Sequence, residues 1–373
     1  MRILFSGGGT GGHFFPIIAT AREIKKIAEE ERILDIQLFY MGPDRFGSDE
    51  LKKEDILLIP VVSGKIRRYF SFQNFFDIFK IIFGAIEALW KLLWIMPDVI
   101  FIKGGYGSFP ALIAAYIYRI PLMIHDSDSI PGMVNKLGGR FAKRIGIAFP
   151  KAAEFFPGKK TALVGIPIRK SLFGGMRSEA EENFGVFSGK KCILVMGGSQ
   201  GAEALNETLL GVIKELTDEF EIIHQAGKEN LEEVRLESSE LLRSFHKERY
   251  HLFGFLKENE LRDGYLLADL IISRAGATAI FEIANLGKPS ILVPLMNSAQ
   301  NHQTENGYSY AKSGACVILE ESNLTPHLLL GEIKRLVENP AKMAEMGEAA
   351  KKFARPDSAE LIAKEILKLG IHK

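Results

Sequence analysis

Residues 3–16 read "ILFSGGGTGGHFFP": a short apolar run, a glycine-rich turn, and the start of a helical pattern. Residues 7–12, "GGGTGG", satisfy G-x-G-x-x-G, a pattern shared by dinucleotide-binding proteins, nucleotide-sugar enzymes and turns that hold nothing. An NAD domain would close its second strand with an acidic residue about 20 residues on, to hold the ribose hydroxyls. Here that strand ends "LFYMGPDRFGS", with Met41 and Gly42 at its tip and Asp44 past the turn. No Lys-Ser or Lys-Thr follows the loop, which excludes the nucleoside-triphosphate P-loop. What remains is a backbone that a ligand can approach and a helix N-terminus whose N–H groups and partial positive charge suit a phosphate or diphosphate. Thr10 adds a hydroxyl, and His13 stands at the entrance of the helix. An imidazole there, beside a glycine turn at the end of a first strand, is placed to act rather than merely to pack.

Outward from this stretch, apolar runs alternate with helical patterns, the signature of a parallel sheet covered on both faces. In the first half the strands are RILFS, DIQLFYM, LLIPV, DVIFIKG, PLMIHD and RIGIAF. The second half restarts with "KKCILVMGGSQGAEALNETLLGVI", again strand, glycine turn and helix, followed by FEIIHQAG, YHLFGF, LIISRAG, PSILVPL and CVILE. The expectation is an α/β chain of two doubly wound Rossmann-like domains facing a cleft, dividing within "LVGIPIRKSLFGGMRS": residues 1–163 and 164–355. The segment 356–373 reads as a helix packing back on the first domain, with Leu361, Ile362, Ile366 and Leu367 at helical spacing.

The bulk numbers agree with such a chain. A length of 373 residues favours two domains, and 47 Lys and Arg against 46 Asp and Glu leave nothing global that points to nucleic acid. Cys192 and Cys316 sit inside separate apolar runs and read as buried, reduced thiols rather than a disulfide or a metal pair. Met1 runs straight into a strand, so no secretion signal is expected.

The second glycine turn, "MGGSQGAEALN" (196–206), frees the backbone at Gly197, Gly198 and Gly201, and Ser199 can donate to a phosphate oxygen. In "SRAGATAIFEIANLGKPSILVP", Arg274 and Gly276 follow a strand and Glu282 lies about one and a half turns into the next helix. A carboxylate there can reach a ribose while the helix start faces a diphosphate. The loop "NSAQNHQTENG" gathers Gln300, Asn301, His302, Gln303 and Asn306, neutral hydrogen bonders of the kind sugars need, where bland polar surface is the alternative. Two phosphate-ready loops imply two phosphorylated ligands, a donor in one domain and an acceptor in the other.

The stretch "FFDIFKIIFGAIEALWKLLWIM" (75–96) is interrupted by Asp77, Lys80, Glu87 and Lys91 on one helical face, so it does not read as a membrane-spanning helix. Its wide apolar arc carries Phe75, Phe76, Phe79, Phe83, Trp90 and Trp94, and "GKIRRYF" supplies Lys65, Arg67 and Arg68 just upstream. That make-up favours a helix lying in the interface of an anionic membrane; burial against the sheet, or a dimer contact, is the alternative.

Taken together, the motifs GGTGGHxFP, "GGYGSFPALIAA" (104–115), "GIPIR" (165–169), GGSQGA, "HQAGK" (224–228), "SRAGATAIFEIA" and QxxN (303–306) resemble the MurG family of peptidoglycan N-acetylglucosaminyltransferases. They occur in the family's order over nearly the whole chain. The resemblance implies a B-type inverting glycosyltransferase that moves N-acetylglucosamine from UDP-N-acetylglucosamine to the muramic acid 4-hydroxyl of undecaprenyl-diphospho-muramoylpentapeptide, working peripherally at the cytoplasmic face of the membrane. It implies no cofactor and no metal. A related enzyme acting on another lipid such as a diacylglycerol is the alternative, while a dinucleotide-dependent oxidoreductase lacks its acidic strand tip.

Residue by residue, the resemblance places Arg169 and Ser199 near the donor diphosphate, Arg274, Ala277 and Thr278 around the phosphates, Glu282 on the ribose, Leu256 beside the uracil and Gln303 on the sugar. It places Thr10, Gly11 and Gly12 under the acceptor diphosphate and closing over the donor. His13 becomes the general base, with Tyr106 and Asn135 orienting the acceptor. One segment departs from the pattern: where H-E-x-N is expected the chain has "HDSD" (125–128). Asp128 then touches a hydroxyl of donor or acceptor, or joins the base network of His13; reading Asp126-x-Asp128 as a metal-binding D-x-D is the weaker option.

Overall fold

The computed structural model describes residues 1–8, 11–43, 47–64, 72–187, 189–198, 201–296 and 301–371, with only the backbone of 72–76. It contains two compact units, Met1–Arg169 with Arg355–Lys373, and Lys170–Ala354.

In the first unit, β1 (Arg2–Gly7), β2 (Gln37–Gly42), β3 (Ile56–Pro60), β4 (Val99–Gly104), β5 (Leu122–Asp126), β6 (Arg144–Ile147) and β7 (Thr161–Leu163) form a parallel sheet in the order β3-β2-β1-β4-β5-β6-β7. Six of these come from the apolar runs of the first half. The seventh is a three-residue edge strand whose side chains are largely exposed, so it carries no apolar run to announce it. Both β4 and β5 are buried at every position, as a strand covered on both faces must be. On one face Ile3 and Phe5 pack with Ile17 and Ile24 of the helix Gly11–Glu30 and with Ile362 and Ile366 of the helix Ser358–Ile371. On the other, Leu4, Ile100 and Ile102 meet Leu92 and Leu112. Strand order reverses between β1 and β4, and the loops leaving their carboxyl ends are where an open sheet of this kind binds ligands.

The second unit repeats the plan. Its strands β8 (Cys192–Met196), β9 (Glu221–Gln225), β10 (Tyr250–Phe253), β11 (Ala268–Ser273), β12 (Ser290–Leu292) and β13 (Cys316–Ile318) pair in parallel in the order β10-β9-β8-β11-β12-β13. The reversal falls between β8 and β11, so the "MGGSQG" and "SRAGAT" segments leave adjacent strand ends. Cys192 and Cys316 are free and buried, and burial pushes both thiols up to about 12.

The helix Phe72–Ile95 has an unusual orientation. Three of its four charged residues turn toward the protein: Asp77 is buried, Glu87 accepts from the Val62 N–H at 2.9 Å, and Lys91 donates to the Pro60 carbonyl at 2.6 Å, while Lys80 is exposed and pairs with Asp77. Gly84 lets this happen, because a β-carbon there would stand 1.9 Å from the Val62 carbonyl oxygen. The apolar arc faces outward, with Phe79, Phe83, Ile86, Trp90 and Trp94 all more than half exposed. Among the described residues no helix is long and apolar enough to cross a membrane.

Candidate active site

In the first unit the loop after β1 and the loop after β4 meet backbone to backbone. Gly104 and Gly105 take φ of 97° and 82°, values that favour glycine, and a β-carbon on Gly105 would lie 2.7 Å from the Gly8 α-carbon. Against this junction lies His13: its Cδ2 is 3.1 Å from where a β-carbon of Gly8 would stand and 3.5 Å from that of Gly105. His13 is thus held at the start of its helix, half-buried, on a floor of glycine backbone. Tyr106 opens the single turn that follows Gly105, also half-buried. Gly11 and Gly12 open the helix Gly11–Glu30 and are accessible, whereas Thr10 lies outside the described residues.

Behind His13, β4 and β5 bring a buried polar cluster to their ends. Asn135, 3% exposed, donates from Nδ2 to Asp126 Oδ2 at 2.7 Å and to the His125 carbonyl at 3.2 Å. Asp126 also accepts the Asp128 N–H at 3.0 Å. His125 donates from Nε2 to the Gly165 carbonyl at 2.6 Å, and burial, with the Lys103 charge beside it, holds its ring well below the usual histidine range. Sequence reading passed over one member. Lys103, fully buried, donates from Nζ to the Ser127 hydroxyl, and burial pulls its ammonium down to about 8 while Asp126 and Asp128 pull it back up. Asp126 is pushed up to about 6 by burial and by the neighbouring Asp128. The only sequence signal for Lys103 is a lysine closing an otherwise apolar strand, "VIFIK", directly before two glycines.

Arg169 belongs to the first unit, its guanidinium 4.1 Å above the Phe15 ring in the helix that carries His13. Among the described residues no group of three or more His, Cys, Asp and Glu side chains is placed to hold a metal ion.

The second unit assembles the remaining residues around β8, β9, β11 and β12. Gly198 and Gly201 take φ of 85° and 83°, while Ser199 lies outside the described residues. Gln225, at the end of β9, donates to the Gly198 carbonyl at 3.3 Å and accepts the Leu256 N–H at 3.0 Å. One side chain therefore ties the glycine loop to the segment carrying Leu256, a role that spacing alone did not reveal. The helix Ala277–Leu286 starts right after β11, capped by Gly276, with Ala277 and Thr278 in its first turn. Glu282, buried on its inner side, accepts the Tyr265 hydroxyl at 2.8 Å through Oε2.

Arg274 is held within its own unit: it pairs with Glu321 at 2.5 Å and donates to the Val293 carbonyl at 3.3 Å. Glu321 also accepts the Met296 N–H at 2.9 Å, so the pair pins the loop after β12. Gln303, in the first turn of the helix His302–Ala311, accepts the Leu295 N–H at 3.0 Å and holds that loop from the other side. Asn306 is buried one turn further on, and Gln300 lies outside the described residues.

Comparison with known proteins agrees with this architecture. Residues 3–147 match the glycosyltransferase family 28 N-terminal domain and residues 192–362 its C-terminal domain. The chain is 36% identical over 340 residues, 91% of each chain, to a Clostridium botulinum UDP-N-acetylglucosamine–N-acetylmuramyl-(pentapeptide) pyrophosphoryl-undecaprenol N-acetylglucosamine transferase. A Clostridium tetani protein of the same name is 36% identical over 343 residues, again 91% of each chain. Among solved structures, Acinetobacter baumannii MurG superimposes with a TM-score of 0.73 at 26% identity, covering 98% of this chain and 99% of that one. A Neisseria meningitidis UDP-GlcNAc 2-epimerase shares the fold, with a TM-score of 0.71 at 15% identity over 99% and 100% of the two chains.

Proposed function

The chain belongs to glycosyltransferase family 28, and from that premise we propose that it is the N-acetylglucosaminyltransferase that completes the lipid-linked disaccharide of peptidoglycan. It moves N-acetylglucosamine from UDP-N-acetylglucosamine to the 4-hydroxyl of muramic acid in undecaprenyl-diphospho-muramoylpentapeptide, releasing UDP. The observation that carries this reading is 36% identity over 91% of the chain to enzymes named for that transfer.

The residues divide the work by unit. Gly11 and Gly12, with Thr10, offer the start of their helix to the acceptor's diphosphate. His13 takes the proton of the 4-hydroxyl as that oxygen attacks the anomeric carbon from the face opposite UDP, and Tyr106 and Asn135 orient the attacking sugar. The bond from the anomeric carbon to the diphosphate oxygen breaks with inversion. Departing negative charge is met by helix N–H groups at Ala277 and Thr278, with Ser199. Glu282 takes the ribose hydroxyls, Leu256 flanks the uracil, and Gln303 reads the sugar. Arg274 acts indirectly: its pairing with Glu321 supports the same loop that Gln303 holds.

An acceptor that lives in a bilayer requires the enzyme to come to it. The outward apolar face of the helix Phe72–Ile95, with Lys65, Arg67 and Arg68 just before it in sequence, supports peripheral binding to an anionic membrane, at its cytoplasmic face where UDP-sugars are made available. Those three cations lie outside the described residues.

The test is transfer of labelled N-acetylglucosamine to a short-chain analogue of the lipid-linked muramoylpentapeptide, with the linkage of the product read by NMR. A β-configured disaccharide from the α-configured donor supports the reading. An α-configured product, or label reaching only water, contradicts it.

A further inference from the structure

We propose that Lys103 is a positioning residue: it compensates the adjacent carboxylates of Asp126 and Asp128, and through Asp126 it fixes which end of the Asn135 amide is offered to the acceptor sugar. The inference rests on the acceptor-side reading given above and adds to it the group that sets Asn135.

The amide is oriented by two oxygens. Nδ2 of Asn135 donates both to the His125 carbonyl and to Asp126 Oδ2, at 3.2 and 2.7 Å. Turned over, the amide would set its own oxygen against two oxygens, so the nitrogen end is fixed as long as Asp126 is a carboxylate, which can only accept. Asn135 Oδ1 is then left, buried and without a hydrogen-bond partner among the described residues. It stands beside the Gly104 α-carbon, where a β-carbon would come within 3.1 Å of it. A buried amide oxygen lacking a donor is destabilising unless a ligand supplies one, and a sugar hydroxyl is such a donor.

The orientation depends on charge. Asp126 and Asp128 are two carboxylates at neighbouring positions of one turn, and like charges so close drive one of them to hold a proton. Protonated, Asp126 becomes a donor as well, and the shorter of the two bonds no longer dictates the amide's orientation, which is left to the His125 carbonyl alone. Lys103 is fully buried, donates to Ser127 between the two carboxylates, and is the cation that opposes this. His125 also lies beside Lys103, with His13 near that ring in turn; His125 is held neutral, so it supplies no compensating charge. The chain thus pairs the negative charges of Asp126 and Asp128 with a buried positive charge at Lys103.

The experiment compares wild type with Lys103→Met, Asp128→Asn and the double variant, each confirmed as folded by thermal unfolding. It records the pH profile of kcat/KM for the short-chain lipid-linked acceptor alongside KM for UDP-N-acetylglucosamine. For Lys103→Met the acid limb moves up by at least about one pH unit, lowering acceptor kcat/KM about tenfold near that limb, while KM for the donor is unchanged. Asp128→Asn moves the limb down, and the double variant returns toward wild type. An unmoved limb in both single variants, or a double variant as impaired as Lys103→Met, overturns the proposal. Should Lys103→Met not fold, the direction of the Asp128→Asn shift decides alone. A second arm follows the Asp126 carboxyl carbon by NMR with pH, assigned through its loss in Asp126→Asn. If the wild type transfers nothing, the function fails while this arm still judges Lys103: titration at the same pH with and without Lys103 overturns the coupling.

Discussion

A β-carbon on Gly105 would stand 2.7 Å from the α-carbon of Gly8. The loops after β1 and β4 therefore touch through bare backbone, and His13 rests on that contact. Gly105→Ala adds both this clash and a left-handed φ of 82°, so it should lower unfolding free energy by roughly 2–4 kcal/mol and remove acceptor-dependent activity. Gly132→Ala is the control: nothing lies within 4 Å of its β-carbon position, and its stability should stay within about 0.5 kcal/mol of wild type. Urea unfolding of both variants checks the pair.

His13→Ala should leave the fold and donor KM nearly unchanged while kcat falls about 10²- to 10⁴-fold, the range of a lost general base. Steady-state kinetics with the short-chain acceptor reads this directly. Equal losses in kcat and in donor affinity would instead make His13 a structural part of the donor site.

Tyr265→Phe removes the hydroxyl that donates to Glu282 Oε2. The carboxylate is then held less firmly toward the ribose, and KM for UDP-N-acetylglucosamine should rise about fivefold, the equivalent of one ordinary hydrogen bond. Acceptor KM should not move. Isothermal titration with UDP separates this effect from any on chemistry.

Asp126 adds an acid-side loss to the one that any general base, needed unprotonated, already imposes. Burial and Asp128 push its pKa up to about 6, so protons bind it as pH falls through that value and the amide of Asn135 loses its fixed partner. Acceptor kcat/KM should accordingly decline below about pH 6, with donor KM flat across the same window. A donor KM that rises in parallel would place the titrating group in the other unit.

Trp90→Ser with Trp94→Ser removes two rings that are 62% and 73% exposed. Binding to vesicles containing anionic lipid should weaken at least tenfold, with thermal stability intact because neither ring is buried. Co-sedimentation at low and high salt measures it, and wild-type binding should itself decline with salt.

Most of the fold was legible because its signals are local. Twelve of the described strands come from apolar runs between turn residues, and both glycine loops announce themselves by spacing. β7 was not legible: three exposed edge residues need no apolar pattern. The site residues were legible where a motif carries them and opaque where long-range pairing decides. Arg274 finds Glu321 47 residues away, Gln225 spans from Gly198 to Leu256, and Tyr265 meets Glu282 across two helices, none of which periodicity can register. Lys103 was missed because a lysine at a strand end normally reaches water; only β5 beside it, ending in Asp126, makes its burial sustainable. In the helix Phe72–Ile95 the spacing grouped the charges on one face, but it could not say that this face, held by Val62 and Pro60, is the inward one.

The most direct test of the central claim is UDP release by the purified protein from UDP-N-acetylglucosamine with no acceptor, with a short-chain lipid-linked muramoylpentapeptide, and with diacylglycerol. The account predicts release with the muramoylpentapeptide lipid alone, collapsing in His13→Ala. Release with diacylglycerol only, or with neither lipid, would contradict it.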